Sequence, residues 1–286
     1  MQASPRVSVI VPVFNQAATL SSMLEALAGQ SVSSREREII VVDNGSNDGT
    51  PGVLAAAQTA LPELRVVVED TVQGSYAARN RGIEVANGPV LAFTDADCVP
   101  QPSWLKRGLA AGNSEEADVV AGRIQLTFRS DRPNVWEYVD AGGFLDQRLH
   151  VEEHGFGVTA NLFVRREVFR SVGGFRAALR SGGDYEFCHR ARADGASIAY
   201  AEDAVVSHPA RAEAREVFEK TKRVAIGLRD LERQGLLGHN RLSWRHFLPA
   251  RHYPSPEGFR PRFGLRLKAV LGVNALKYWS LMWRLL

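Results

Sequence analysis

Four runs of apolar residues, each followed by turn-forming residues, divide the first hundred positions of the chain. They span Val7–Val13, 38–42, 65–68 and 88–93, and the first is rich in β-branched residues. Between the first two runs, leucine and methionine recur at positions 20, 23, 24 and 27, which is the spacing of one helical face. Strands and helices that alternate in this way predict an α/β fold, with a parallel sheet and right-handed crossovers.

The fourth run ends in two aspartates, Asp95 and Asp97, separated by one small residue. If the strand continues through them, both side chains point to one side, at the edge where open α/β sheets bind ligands. Adjacent carboxylates repel each other unless a cation lies between them, and such oxygen ligands suit Mg²⁺ or Mn²⁺ bridging to phosphates. The alternative is that both residues only form a turn and cap the segment that follows.

Polar side chains at two other places are expected to reach the same edge of the sheet. Asp43 follows the second run, and Arg79 lies on a helix predicted over 73–82. Asp43 could accept a hydrogen bond from a base or a ribose, and Arg79 could neutralise phosphate. Taken singly, the alternatives are a turn-forming aspartate and an arginine on a solvated helix face.

Composition and charge limit the classes of protein to which the chain can belong. With 286 residues, 45% of them hydrophobic, it can bury a full core as one domain or as two lobes around a cleft. Residues 1–210 hold 19 Lys and Arg against 26 Asp and Glu, whereas 211–286 hold 16 against 6, so only the tail is basic. Two cysteines are too few for a disulfide framework, and the amino end lacks the pattern of a secretion signal. We therefore expect a protein of the reducing cytoplasm.

These run ends and several further motifs together resemble the family 2 glycosyltransferases with the A-type fold. The motifs follow the family's order over roughly residues 7–208, which is far more specific than any single motif. They are VIVPVFN at 9–15, VDNGS at 42–46, DGT at 48–50, ARNRG at 78–82, FTDAD at 93–97, TANLFVRR at 159–166, VGGF at 172–175, GDYEF at 183–187 and VSH at 206–208. The resemblance implies a nucleotide-binding, mostly parallel sheet flanked by helices.

The resemblance also implies a nucleotide pocket, a donor contact and a metal site. The residues that would line the nucleotide pocket are Pro12, Asn15 and Asp43. Of these, Asp43 would read the base, and Arg79 would lie near the donor. Asp95 and Asp97 would contact the ribose, the diphosphate and a Mg²⁺ or Mn²⁺ ion.

Asp184 falls where the family keeps its catalytic base, in a stretch usually written Glu-Asp. Here Gly183 replaces the glutamate, a departure that leaves the aspartate itself in place. A carboxylate that opens a helix can accept a proton from an incoming hydroxyl, or it can simply cap the helix predicted over 185–193. His208 ends another apolar run, and it is either a third metal ligand, as in some relatives, or a histidine at a strand end.

The acceptor is expected to bind in the region between the central strand and Asp184. Residues 123–150 carry aromatic and charged side chains there without a clear period, among them Trp136 and Tyr138. Aromatic faces suit sugar rings, but these two side chains could equally belong to the core. The sequence thus predicts a catalytic domain in two halves and a helical, basic extension. Their limits are 1–110 and 111–210 for the halves of the catalytic domain (1–210) and 211–286 for the extension.

The tail ends in an apolar stretch, 263–286, that predicts a helix. On a helical projection three basic side chains share one sector and four apolar ones share another, while Lys268 breaks the pattern. The basic residues are Arg266, Lys277 and Arg284, and the apolar ones are Leu265, Leu276, Trp279 and Trp283. The stretch is too polar to span a bilayer. It fits either a helix that lies on an anionic membrane or one that packs on the catalytic domain or a second subunit.

Together these features predict a metal-dependent, inverting glycosyltransferase that moves a sugar from a nucleoside diphosphate sugar to an acceptor hydroxyl. The acceptor would be a glycan, a lipid-linked molecule or a small molecule, and the absence of a Gln-x-x-Arg-Trp sequence favours single transfers over polymer synthesis. The alternative is an inactive module of the same fold that only binds nucleotide sugar. Nucleic acid is not expected as a partner, an oligomer is compatible with the sequence, and a membrane-bound tail would place the protein at the inner face of the membrane.

Overall fold

The computed structural model describes residues 5–142, 145–236, 244–250 and 263–286. The chain divides into two compact units, each made of three segments. The first unit comprises Met1–Gln125, Asp146–Ala178 and Gly183–His208, and the second comprises Leu126–Leu145, Leu179–Gly182 and Pro209–Leu286. The second unit thus includes two segments from the predicted catalytic domain together with the predicted extension.

Two of the predicted regions are described in part. Residues 143 and 144 of the predicted acceptor region, and 237–243 and 251–262 of the predicted extension, lie outside the described residues.

The first half of the first unit is the alternation of strands and helices that the apolar runs predict. Its elements are β1 (Val7–Val13), α1 (Ala17–Ala28), β2 (Arg37–Asp43), α2 (Thr50–Ala60), β3 (Leu64–Val68), α3 (Ser75–Val85) and β4 (Val90–Thr94). β1 pairs in parallel with β2 and with β4, and β2 pairs in parallel with β3. The predicted α/β fold is confirmed in this half of the sheet.

The later strands join the same sheet in antiparallel fashion. The elements that follow are β5 (Val99–Pro100), α4 (Trp104–Ser114), β6 (Val119–Thr127), α5 (Val135–Ala141), α6 (Gln147–His154), β7 (Asn161–Arg165), α7 (Arg166–Val172), α8 (Gly183–Ala193) and β8 (Ile198–Pro209). Among the described residues the strand order is β3-β2-β1-β4-β7-β6-β8-β5, and β7 pairs antiparallel with β4 and β6, as β5 does with β8. The sheet is therefore mixed, with its parallel part at the amino-terminal end of the chain.

β1 is the strand around which the core of the first unit is built. Val9, Ile10 and Val11 are completely buried, as a β-branched strand covered on both faces should be. Each such side chain stabilises the fold by roughly 1.5–3 kcal/mol relative to an exposed one. α3 lies close against β1 because Gly82 has no side chain, and a Cβ there would lie only 2.5 Å from Cγ2 of Ile10. This close approach fixes the helix that carries Arg79.

The second unit is helical. It contains α5, α9 (Ala214–Arg233), a 3₁₀ turn (Trp244–Phe247) and α10 (Phe263–Leu285). Its apolar core is formed by side chains of all three α-helices, namely Tyr138, Val139, Val217, Ala269 and Leu276. A buried carboxylate, Asp140, lies 2.7 Å from Lys220 and 3.3 Å from Arg211. Burial raises the pKa of Asp140, but these two cations outweigh that effect and hold the pKa below its ordinary value.

The tryptophan side of α10 packs on α9, which belongs to the predicted extension itself. Trp279 meets Phe218 edge to face at 5.7 Å, and the Lys222 ammonium lies 3.7 Å from the centre of the Trp283 ring. A different side of α10 is exposed and carries Leu267, Leu271, Tyr278, Met282 and Leu285. No helix in the described ranges has both the length and the hydrophobicity needed to cross a bilayer.

Candidate active site

Asp43 and Asn44, at the carboxyl end of β2, have different hydrogen-bond partners. Asp43 is buried, and its Oδ1 accepts a hydrogen bond from the backbone N–H of Ser46 at 3.0 Å, which is the predicted turn. Its Oδ2 accepts no hydrogen bond from the described residues, so this oxygen remains available to a ligand. Asn44 donates its amide protons to the carbonyls of Glu69 and Val72, at 2.7 and 2.9 Å. Asn44, which the sequence analysis did not single out, therefore holds the loop that leads into α3.

The carboxyl end of β1 lies beside that of β2, so the predicted pocket residues come together. Val13 is the register partner of Asp43 in the parallel pair, and Pro12 is half-buried one residue earlier. Asn15 has a left-handed backbone, with φ of 51°. Its side-chain oxygen accepts a hydrogen bond from the backbone N–H of Asn47 at 2.9 Å. Asn15 thus joins the loops that follow the two strands.

Arg79 is buried and forms an ion pair, instead of lying on a solvated helix face. One of its terminal nitrogens lies 2.5 Å from Oδ1 of Asp95, whose side chain is about one third exposed (32%). The guanidinium also lies over the ring of Tyr76, 5.6 Å from the ring centre. Its Nε is buried without a hydrogen-bond partner among the described residues. Since Asp95 already neutralises Arg79, any contribution to phosphate binding comes from the pair.

The argument that placed Asp95 and Asp97 on one side of a strand is wrong. β4 ends at Thr94, and the N–H of Cys98 donates to the carbonyl of Asp95 at 3.1 Å, which closes a turn. The two carboxylates consequently have different partners. Asp95 pairs with Arg79, whereas Oδ2 of Asp97 lies 3.8 Å from Nε2 of His208 on β8.

Asp97, Cys98 and His208 form the candidate metal site. One ligand atom of each lies within 4.8 Å of the other two. Asp97 and His208 were predicted ligands, whereas Cys98 was missed because a cysteine at the end of an apolar run is most simply a core residue. Burial raises the pKa of the Cys98 thiol well above its ordinary value, and the charges of Asp95 and Asp97 add to that effect. A carboxylate and an imidazole fit a hard or intermediate divalent cation, whereas a cysteine sulfur is a softer ligand that suits other metals.

Asp184 lies in the first turn of α8, but its carboxylate is held by other elements. It accepts hydrogen bonds from the hydroxyl of Tyr76 on α3 and, at 3.1 Å, from the backbone N–H of Thr159. The hydroxyl of Thr159 lies 3.5 Å from the same oxygen, Oδ2. Within the described residues the carboxylate accepts no hydrogen bond from its own helix, so it does not act as a plain cap. Tyr76 was not predicted, since nothing near it in the sequence refers to Asp184.

The two aromatic residues proposed for the acceptor belong to the second unit. Tyr138 is completely buried in its core, so the ring cannot offer a face to a sugar. Trp136 packs edge to face against Phe218, with the ring centres 5.8 Å apart. For Tyr138 the core alternative is therefore the observed one.

Comparison with known proteins gives a consistent family. A family model described as "Glycosyl transferase family 2" matches residues 8–173, which is more than half of the chain. The chain is also similar to "Glycosyltransferase AglE" of Haloferax volcanii, with 39% identity over 223 residues, 78% of this chain and 73% of the relative.

Two solved structures share the fold. A mannosyltransferase, PcManGT from Pyrobaculum calidifontis in complex with GDP-Man and Mn²⁺, matches with a TM-score of 0.63 and 19% identity over 99% of this chain and 74% of that chain. TarS 1–349 from S. aureus in complex with UDP-GlcNAc matches with a TM-score of 0.57 and 22% identity over 78% of this chain. The match takes in 66% of that TarS chain, slightly less than two thirds.

Proposed function

The chain belongs to glycosyl transferase family 2, and on that premise we propose that it moves a sugar from a nucleoside diphosphate sugar to an acceptor hydroxyl, with inversion and with a divalent metal ion. One observation carries the proposal. On α3, Arg79 pairs with Asp95, and Tyr76 donates a hydrogen bond to Asp184. Tyr76 and Arg79 are three residues, or about one helical turn, apart. A single helix thereby ties a donor-side carboxylate to a candidate base.

The donor class is supported by the strand ends and by the solved neighbours. The neighbours were solved with GDP-Man and with UDP-GlcNAc, both nucleoside diphosphate sugars. In this chain Pro12, Asn15 and Asp43 lie together after β1 and β2, and Oδ2 of Asp43 is available to a base N–H or a ribose hydroxyl. We propose that these residues form the nucleotide pocket.

Asp184 has the environment of a base that acts on the acceptor. As the acceptor oxygen forms its bond to the anomeric carbon, Asp184 takes the proton of that hydroxyl. The bond from the anomeric carbon to the diphosphate oxygen breaks, and the diphosphate leaves with the electron pair. Because attack and departure take place on opposite faces, one displacement inverts the centre without a covalent enzyme intermediate.

Asp97 and His208 are the residues that would hold the metal ion. A mixed oxygen and nitrogen donor set lies between the preferences of Mg²⁺ and those of the later transition metals, and this favours Mn²⁺ over Mg²⁺. When bound, such an ion supplies positive charge beside the departing diphosphate. Arg79 remains paired with Asp95, so any contact that its guanidinium makes with the diphosphate is made by the ion pair as a whole.

The exposed side of α10 favours a lipid-linked acceptor among the three predicted classes. Leu267, Leu271, Tyr278, Met282 and Leu285 recur at helical spacing along this side. α10 carries no carboxylate, and its exposed cations are Arg266 and Lys268. The other two cations have protein partners, since Lys277 donates to the carbonyl of Leu248 and Arg284 pairs with Glu232. Pairing this side with a second copy would bring like charges together, whereas an anionic membrane surface complements both the apolar and the basic residues. We therefore propose that α10 lies on such a surface.

Asp184→Asn tests the proposed reaction. The amide keeps the size of the side chain but cannot take a proton, so transfer is expected to fall by about 10²- to 10⁴-fold. Affinity for the nucleoside diphosphate should stay close to that of the wild type, because Asp184 contacts α3 and Thr159 and not the predicted nucleotide pocket. Transfer is measured with radiolabelled donor sugar, and binding by calorimetry.

Glu152→Gln, an exposed carboxylate on α6, serves as the matched control and should transfer at the wild-type rate. Wild-type transfer by Asp184→Asn would remove Asp184 as the base. A wild-type chain that binds nucleotide sugar but transfers to no acceptor would favour the inactive binding module.

A further inference from the structure

Tyr76 is a buried phenol whose hydroxyl has two partners in the candidate active site. Only 6% of the residue is exposed. The hydroxyl donates to Oδ1 of Asp184 and accepts a hydrogen bond from the backbone N–H of Gly183 at 2.9 Å. Because the N–H of Gly183 already occupies a lone pair of the phenol oxygen, the single hydroxyl proton is directed to Asp184. The hydrogen bond therefore has one defined direction.

The ring of Tyr76 fits only because residue 183 is a glycine. A Cβ at Gly183 would lie 2.7 Å from the ring atoms Cε2 and Cζ, closer than side-chain carbons come. On other sides the ring meets Phe175, with the centres 5.7 Å apart, and the guanidinium of Arg79 at 5.6 Å. The absence of a side chain at position 183 and the presence of a tyrosine at position 76 are thus parts of one arrangement.

We propose that Tyr76 is the positioning residue of Asp184: its hydroxyl orients the carboxylate and favours the ionised form that takes the proton of the acceptor. This inference rests on the proposed function, in which Asp184 is the base. Thr159 donates to Oδ2 through both its N–H and its hydroxyl, whereas Tyr76 donates once to Oδ1, so Oδ1 keeps a lone pair for the acceptor hydroxyl.

The charges around the pair are consistent with this role. Burial raises the pKa of Tyr76 well above its ordinary value, and the negative charge of Asp184 adds to that effect, so the phenol keeps its proton wherever Asp184 is ionised. Among the described residues, the ionisable groups that interact with the pair include Arg79 on α3 and Cys188 on α8. Burial raises the pKa of Cys188 to about 12, so it remains a neutral thiol over the working range.

Tyr76→Phe tests the proposal, because the variant keeps the ring and removes only the hydroxyl. Loss of a donor to an ionised carboxylate raises the pKa of that carboxylate. The acid limb of the kcat/KM profile against pH is therefore expected to move up by about one pH unit, and kcat at neutral pH to fall about tenfold or more. Affinity for the nucleoside diphosphate should not change. A residue with a purely structural role would lower thermal stability but leave the acid limb in place.

Two further variants keep the test decisive. Tyr200→Phe, a partly buried tyrosine on β8 outside the candidate site, is the matched control and should leave the profile unmoved. A fluorotyrosine at position 76 has a more acidic hydroxyl that donates more strongly, so it should move the acid limb to lower pH, and it applies even where Tyr76→Phe folds poorly.

The possible results separate this inference from the proposed function. If Asp184→Asn is inactive but the acid limb stays in place in Tyr76→Phe and in the fluorotyrosine variant, the positioning role is overturned and the transferase proposal stands. If Asp184→Asn is fully active, the proposed base fails, and the role of Tyr76 fails with it.

Discussion

At the scale of single residues, one carbon added at Gly183 should affect both the stability of the fold and the transfer reaction. The Cβ of Gly183→Ala would press on the ring of Tyr76, so we expect the free energy of unfolding to fall by about 1–3 kcal/mol. Transfer should fall as well, because the ring cannot move without carrying its hydroxyl away from Asp184. Chemical denaturation and the transfer assay measure the two effects.

A matched glycine is available for comparison. Gly52 lies on α2 with nothing within 4 Å of the site of a Cβ, so Gly52→Ala should be neutral or stabilise the protein by up to about 1 kcal/mol. In a Tyr76→Ala background the cost of Gly183→Ala should shrink, because the ring that it meets is gone. Equal stability and activity of the two alanine variants in the Tyr76 background would contradict this packing.

Long-range contacts limited what the residues alone could reveal. Asn15 was indicated only by the family resemblance, because its side-chain oxygen bonds to Asn47, 32 positions further along the chain. Asp43 could be found from the residues alone, because it ends a strand and forms a local turn with Ser46. Tyr76 could not, since its partner Asp184 lies 108 positions further along the chain. Cys98 was missed for a different reason, because a cysteine at the end of an apolar run is most simply a core residue.

At the scale of secondary structure, the end of β4 shows what a polar and apolar pattern leaves open. An apolar run that leads into Asp95 and Asp97 favoured a strand that continues through both aspartates. In the structure a hydrogen bond between Cys98 and Asp95 closes a turn there. The residues after an apolar run are compatible with either a strand or a turn, and here Asp95 forms its ion pair with Arg79 from the turn. The starts and ends of β1 and β2, which have longer apolar runs, agree closely with the sequence.

α10 is the element whose exposed side can be tested directly. We expect the wild-type protein to float with vesicles that contain phosphatidylglycerol and not with pure phosphatidylcholine vesicles. Leu267→Ser combined with Leu271→Ser should lower binding about tenfold or more, because two leucines no longer enter the membrane interface. Added salt should weaken the binding of the wild type.

Leu149→Ser is the control for this flotation experiment. Leu149 is also exposed, but it lies on α6 in the first unit, so its loss should not affect vesicle binding. The membrane proposal would be contradicted if the wild-type protein stayed at the bottom of the gradient with the unbound protein. It would also be contradicted if the double variant floated as well as the wild type.

At the scale of the whole molecule, the α/β fold could be predicted, whereas the make-up of the second unit could not. Residues 126–145 carry no clear period, yet α5 from this segment contributes Tyr138 and Val139 to the core with α9 and α10. The charge contrast is clear from composition alone, at 19 basic against 26 acidic residues for 1–210 and 16 against 6 for 211–286. The buried residues of the basic tail pack partly against α5, and the sequence did not reveal that α5 would be their partner.

Calorimetric titration with UDP, GDP and dTDP, each with and without Mn²⁺, tests the central claim most directly. The proposed site predicts that one of these nucleotides binds, and that leaving out Mn²⁺ or introducing Asp97→Asn lowers its affinity by about tenfold or more. Failure of all three nucleotides to bind in the presence of Mn²⁺ would contradict a metal-assisted site for a nucleoside diphosphate sugar.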